Sequence, residues 1–531
     1  MNTEGPRRCQ FPWNRIAFWL AGFVALFWFL VRVIPKPSRA AYPCQQAAFP
    51  LASAFVISLC AAWAGLAAFL RHHRFTVLAT LMLAAGLVLG MTRRISAKED
   101  GPPAAATSPA LPKWTPALGP NSPIGEAKGI HPGRVTWCRD IRATPWDGKT
   151  GKWWDAGNIN QEALDAMFSQ SLRGLAGAKS DGEAWDRLLR WFNKTHDRGD
   201  APRQPGETIA VKINLNNTYG GYADADNDID QSPQSVRTLL RQLTSNAGFA
   251  EGQIIIYDSS PNGMRRAVPD RIYGPLHQEF PGVRWMDCRG KNGREAPLWV
   301  DGAITYSSPE TQLGTALPRA VVDATYMINF ALLKGHEISG VTLCGKNHFG
   351  SIRFPQKDHP KYVAPRNRDI SAQNALVDLM GSPNLGGKTI LYILDGLYGT
   401  RTNVKEVTEN DRWNHLFNGP WSASYFMSQD PVAIDSVGLD FLYAEFGETL
   451  GFSGAKAYPA GAVHHSDNYL IEAANGANRE LGPYKPNGKP CGSLGAHEHW
   501  NNAQDKRYSR NLSPSGKGIE LVQIPAPSTP L

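Results

Sequence analysis

An α/β fold, a mostly parallel open sheet with flanking helices preceded by three transmembrane helices, is what this sequence of 531 residues predicts. Three observations lead there. From Glu207 onwards, strand-length apolar runs alternate with amphipathic helical patterns, the βαβ signature of a parallel sheet. Polar and charged residues recur where those runs stop. Ahead of them, the first 91 positions hold three apolar stretches, each of roughly bilayer-crossing length.

These stretches are Ile16–Ile34, Leu51–Leu70 and Phe75–Met91, interrupted only by Arg32 near one end. Residues 1–92 are therefore expected to be an anchor of three transmembrane helices, and the protein an integral membrane protein with the lipid bilayer as a partner. Arg7, Arg8 and Arg15 before the first span favour an inside N-terminus and an extracytoplasmic globular domain, whereas Arg93, Arg94 and Lys98 pull the other way. The formal net charge of +8 falls wholly in this region: residues 1–100 hold 11 Lys and Arg against 3 Asp and Glu, and residues 101–531 hold 44 of each. A neutral remainder offers no broad phosphate-binding face, so no nucleic-acid partner is expected. The seven cysteines include no C-x-x-C pair, so no iron–sulfur cluster or zinc ribbon is expected either. Cys138, Cys288, Cys344 and Cys491 read as free thiols rather than a disulfide framework.

Residues 93–130, rich in Pro and Ala, read as a linker. An aromatic and helical extension follows over 131–205. Val135–Cys138 is a strand candidate, and Leu164, Met167, Phe168, Leu172 and Leu175 keep helical spacing, as do Trp185, Leu188, Leu189 and Phe192. The α/β core is expected over 206–450. It opens with a strand at Thr208–Leu215, a helix at Pro233–Ala247 capped by Ser232, and a strand at Gln253–Tyr257. Val321–Leu333 is the next strand. Gly335 breaks the run and a helical pattern opens near Ser339, placing Thr342, Lys346 and Gly350 on one stripe and Val341, Cys344, His348 and Ile352 on another. Thr389–Leu394 is a further strand ending at Asp395, and Asp430-Pro431 opens a helix as cap and first-turn proline. Residues 451–531 read as a loop-rich extension.

Asn216, Asp258, Lys334, His336 and Asp395 fall at the carboxyl ends of these strands, where open α/β sheets bind their ligands. Lys212 and Asn214 share one face of an otherwise apolar strand. Parallel strands are covered on both faces, so a lysine there asks for a partner or a ligand, a solvated face being the plainer alternative. With Lys346 and Asn347 these residues are expected to form one site for a small anionic or polar molecule. Lys346 would supply fixed positive charge, Asn347 would orient the ligand, and His336 is the candidate for proton transfer near neutral pH. His336, Lys346 and Lys334 are thus the catalytic candidates; Lys212, Asn214, Asn216, Asp258, Asn347 and Asp395 are the binding candidates. The competing reading is that the charges pair with one another to stabilise the sheet ends.

Taken in order, VKINL, YDSS, NFALLK followed by SGVTLCGKNHFG, ILDGLYG and SQDPVAID resemble the DUF362 family, a group named as a domain of unknown function. The G-V-T-L-x-x-K-N-x-x-G core and the D-P-V-A-x-D element are the specific parts, and the likeness runs over residues 206 to 445. The resemblance implies no particular activity. Some relatives carry a fused ferredoxin module with cysteine clusters; this chain lacks one, so electron transfer is not implied.

Asp224, Asp226, Asp228 and Asp230 alternate in a stretch that suggests calcium. The EF-hand pattern fails at Ile229 and Ser235, and a solvated acidic loop is expected instead. His464-His465-x-Asp467 and His497-Glu498-His499 offer residue types that bind divalent metals, so His464, His465, His497 and His499 are the metal candidates, with loop histidines packed on the core as the alternative. No G-x-S-x-G elbow, P-loop or Rossmann fingerprint occurs. Trp146, Trp153, Trp154, Trp421 and Trp500 leave a glycan-stacking surface open. The expected function is thus a membrane-anchored protein binding or converting a small anionic or polar molecule. The alternatives are a non-catalytic envelope or glycan-binding protein and a metal-dependent hydrolase or isomerase.

Overall fold

A computed structural model describes residues 21, 23–28, 53, 56, 115–260, 267–309, 311, 313–337, 339–353, 373–403, 406–451, 466–479 and 481–526. The chain divides into two compact units, Met1–Pro109 and Ala110–Leu531. In the first, the described residues 21, 23–28, 53 and 56 are helical. The expectation of three transmembrane helices is corrected here: among the described residues no helix is long and apolar enough to cross a membrane. The longest described helices have 16 residues, or about 24 Å against a hydrocarbon core of about 30 Å. Most of Ile16–Ile34, Leu51–Leu70 and Phe75–Met91 lies outside the described residues. The expected integral-membrane localisation is corrected with the helices.

The second unit is an α/β structure on a mixed sheet. Its principal elements, in chain order, are β1 (Arg134–Arg139), α1 (Gln161–Ala176), α2 (Asp181–Thr195), β2 (Ile209–Lys212), α3 (Pro233–Ser245), β3 (Ile254–Asp258), α4 (Asp270–Glu279), β4 (Arg284–Asp287), β5 (Tyr326–His336), β6 (Gly340–Thr342), α5 (Cys344–Asn347), α6 (Ala375–Gly381), β7 (Thr389–Thr400), β8 (Ser424–Ser428), α7 (Pro431–Phe446), α8 (Asn468–Asn475) and β9 (Glu520–Ile524). The strand order is β9-β1-β8-β7-β5-β2-β3-β4, with β6 folded back on the end of β5. Strands β7, β5, β2, β3 and β4 are mutually parallel, and β8 runs antiparallel to both β7 and β1.

The helices follow local rules. Ser232 Oγ accepts from the Ser235 N–H at 3.0 Å ahead of Pro233, and Asp430 accepts from Val432 and Ala433 ahead of Pro431; both satisfy first-turn amides that have no intrahelical partner. The period-2 alternation of the strands divides the apolar side chains between two layers. Ile209, Val211, Ile254 and Ile256 join Phe168, Leu188 and Leu239 in one, while Ala210, Tyr257, Met327 and Ala331 join Leu376, Val437 and Leu470 in the other. Helix α7 is buried nearly all round, which is why its sequence shows no amphipathic stripe.

Two elements depart from expectation. Strand β5 starts at Tyr326, after a short helical turn at Arg319–Asp323, and continues through Gly335 to His336. Gly335 lets the strand pass against the carbonyl oxygen of Arg401, which a Cβ would strike. The helix expected from Ser339 begins only at Cys344, after β6, so Thr342 shares no helical stripe with Lys346.

Candidate functional site

Strand β2 is flanked by β3, the next strand in sequence, and by β5, which the chain reaches only after running out to β4. The strand order therefore reverses between β2 and β5, and open α/β sheets have their crevice at such a point, beyond the carboxyl ends of the strands. The register puts Lys212, the last residue of β2, opposite Asn329 of β5 and Tyr257 of β3.

Lys212 is fully buried there. Its Nζ donates to the Ile213 carbonyl at 2.6 Å and to Asn347 Oδ1 at 3.3 Å, and lies 3.2 Å from Asp258 Oδ2. The Asn347 amide answers in kind: Nδ2 donates to the Lys212 carbonyl at 3.1 Å and to Asn329 Oδ1 at 2.8 Å, and Oδ1 accepts from Asn214 Nδ2 at 3.0 Å. Asp258 Oδ2 also accepts from the Leu215 N–H at 2.9 Å. The fold thus brings Lys212, Asn214, Asp258 and Asn347 together and adds Asn329. Gly350 closes over them; a Cβ on it would stand 2.5 Å from Lys212 Nζ and 2.7 Å from Asp258 Oδ1.

What positions Asn347 lies on another element. Asp435 of α7 accepts from the N–H of Cys344 through Oδ1 and from that of Gly345 through Oδ2, each at 2.8 Å, and from Tyr469 Oη at 3.0 Å. The four-residue helix α5 has no side-chain cap of its own, so Asp435 does from across the fold what a local cap does elsewhere. Its neighbour in the motif, Asp430, caps α7 itself. The two sequence motifs are therefore one structural device. Residues 209–440 match the family model described as Domain of unknown function (DUF362). The resemblance to the DUF362 family holds. No curated protein and no solved structure matches the chain.

Within the DUF362 region, His348 shares the stripe of Val341, Cys344 and Ile352 but is not among the residues the sequence nominates for the site. It is fully buried, and neither ring nitrogen has a hydrogen-bond partner among the described residues. Burial, reinforced by the nearby Lys212 ammonium, pushes its pKa down to about 3, so the ring is neutral and carries one N–H and one lone pair. Asn214 Oδ1, Ser259 Oγ and Ser260 Oγ are likewise buried without a partner among the described residues.

The remaining predicted residues are distributed. Lys334 Nζ donates to the Ile229 carbonyl at 2.9 Å and faces Asp230. Asp395 is held at the start of α3 by Ser235 Oγ at 2.6 Å, Gln231 Nε2 at 2.9 Å and the Leu397 N–H at 3.1 Å. Asn216 donates to Asn217 Oδ1. His336 Nδ1 accepts from the Ser339 N–H at 3.2 Å; it stands seven residues past Asn329, about 23 Å along an extended strand. The Lys346 ammonium lies 4.5 Å above the Phe349 ring. The acidic stretch is not a solvated loop. Asp224 and Asp230 are buried, each 3.9 Å from the Arg271 guanidinium, and burial raises both carboxyls.

Beyond the DUF362 region, His497 and His499 are buried beside Asp467, while His464 and His465 lie outside the described residues. The four described cysteines are free. Trp146, Trp153, Trp421 and Trp500 are buried, with Trp146 stacked on Trp421 at 5.2 Å, and the half-buried Trp154 donates to the Asp226 carbonyl with Arg271 over its ring. The four buried rings fill the core, and Trp154 packs against it, so a glycan surface built from the five is not supported.

Proposed function

We propose that this DUF362-like protein binds a small anionic or polar molecule at the carboxyl ends of β2 and β3, beside Asn329 of β5. The observation that carries the reading is the set of buried polar atoms without partners among the described residues, on His348, Asn214, Ser259 and Ser260, beside the Lys212–Asn347 pair at the reversal of strand order. A buried polar atom left bare costs about 1–3 kcal/mol, and several kept together mark a place where a ligand or ordered water completes the bonding. Lys212, paired with Asp258 at 3.2 Å, and Lys346, one residue before Asn347 on α5, are the cations that this reading assigns to an anionic group. The neutral His348 ring can donate to one ligand atom and accept from another.

Native mass spectrometry of the purified full chain, with calorimetric titration of inorganic phosphate and acetate, tests this reading. Lys346→Met keeps the apolar stem and removes the charge. The expected result is loss of the co-purifying or titrated anion with a melting temperature close to that of the parent. A sharply lowered melting temperature with the anion still at full occupancy would overturn it.

A further inference from the structure

Outside the DUF362 region, Asp467, His497 and His499 converge in the interior. All three are buried, and one ligand atom from each lies within 4.8 Å of the others. The rings are aimed by a second layer of residues. His499 Nδ1 is 2.6 Å from Asp440 Oδ1, and His497 Nδ1 is 2.8 Å from Ser436 Oγ. Ser436 and Asp440 sit one turn apart on α7. The Asp440 carboxylate is itself pinned through Oδ2 by Tyr508 Oη at 2.9 Å and the Trp500 N–H at 3.1 Å. With both Nδ1 atoms engaged, the Nε2 atoms are left to face the cluster.

Two observations separate this arrangement from ordinary packing. His497 Nε2 is buried with no hydrogen-bond partner among the described residues. His499 Nε2 lies 3.9 Å from Asp467 Oδ2. Two tetrahedral ligands at about 2.1 Å from a common ion are about 3.4 Å apart, so the observed spacing is close to that of co-ligands. A carboxylate held against the outer nitrogen of a histidine fixes its tautomer and raises its basicity as a ligand, and Asp440 is so placed for His499. Asp467 is steadied by the Ala117 N–H, 3.3 Å from Oδ2.

We infer that Asp467, His497 and His499 form a binding site for a divalent transition metal, zinc being the first candidate. Two imidazoles and one carboxylate leave a coordination position for water or a substrate oxygen, the composition of catalytic rather than structural zinc sites. The ring nitrogens and the borderline-soft character of the set favour zinc, cobalt or iron over calcium and magnesium. The inference stands apart from the strand-end reading, although the two sites share helix α7, where Asp435 faces one and Ser436 the other.

The test uses the full chain, stripped with chelator and titrated with Co²⁺ and then Zn²⁺. Expected are one equivalent of metal by elemental analysis, visible d–d bands from Co²⁺ that Zn²⁺ abolishes, and a raised melting temperature. Asp440→Asn is expected to weaken metal affinity about 10- to 100-fold while metal still binds, and His497→Ala/His499→Ala to abolish binding. Absence of d–d bands and of any thermal shift in the unsubstituted chain would overturn the inference without reliance on a variant that could fail to fold. So would equal metal content in the double variant. Either outcome would reassign His499 as a histidine bridging Asp440 and Asp467 with no ion.

Discussion

Lys212 and Asn347 hold each other twice: the lysine ammonium donates to the asparagine Oδ1 at 3.3 Å, and the asparagine Nδ2 donates to the lysine carbonyl at 3.1 Å. The pair joins the end of β2 to the end of α5, and Asn347 Nδ2 extends the link to Asn329 on β5. Asn347→Asp preserves shape but sets an acceptor against two acceptors, the Lys212 carbonyl and Asn329 Oδ1. It is expected to destabilise the chain by about 2–4 kcal/mol, in line with the cost of unsatisfied buried polar groups, as measured by urea unfolding. A loss under 0.5 kcal/mol would mean that the amide does not join the three elements.

Gly335 and Gly350 are both pressed by neighbours, but the neighbours differ. At Gly335 the obstacle is the Arg401 backbone, and at Gly350 it is the ends of Lys212 and Asp258. Side-chain ends can retreat and backbone cannot, so Gly350→Ala should cost about 1–3 kcal/mol and Gly335→Ala more. Paired thermal melts of the two variants check the order; the reverse order would refute it.

Asp435→Ala removes the acceptor shared by the Cys344 and Gly345 amides. Buried amides left bare predict a loss of about 2–4 kcal/mol. They also predict faster hydrogen exchange at those two amides than at the β3 amides. Unchanged exchange at Cys344 and Gly345 would show that Asp435 does not hold α5.

Asp378 is buried and accepts from the N–H and the hydroxyl of Ser307. Burial raises its pKa to about 7 from an ordinary 3.8. The fold thus binds this proton more tightly than the unfolded chain does. Its stabilising effect is complete below about pH 4 and is lost as pH rises through 7. Asp378→Asn, which keeps an acceptor for Ser307, should gain stability relative to the parent between pH 5 and 7.5, by at most a few kcal/mol. Denaturant midpoints at the two pH values decide it; a constant difference would show that Asp378 is not the titrating group.

Features held within a few residues were legible in the sequence. Ser232 before Pro233 and Asp430 before Pro431 announced α3 and α7, because a cap bonds amides two or three positions away. The apolar runs of β2 and β3 announced buried parallel strands, and the motifs marked Lys212, Asp258 and Asn347 as belonging to one family pattern. Apolar length misleads at the N-terminus, where it predicts membrane-crossing helices that the described residues do not support.

Tertiary structure decided what each buried polar group meets. Asn347 reaches back 135 residues to Lys212, and Asp435 reaches back 91 residues to Cys344, distances over which no local period operates. Arg271, some forty residues past the acidic stretch, turned an expected solvated loop into a buried one. The spacing of His348 with Val341, Cys344 and Ile352 marks it for burial, but not that both its ring nitrogens stand without a hydrogen-bond partner among the described residues. Asp467, His497 and His499 meet because α7 presents Ser436 and Asp440 to the two rings. Backbone hydrogen bonds at helix ends are satisfied by near neighbours and so are written locally, whereas a charge or imidazole taken out of water needs partners that only the assembled layers can supply.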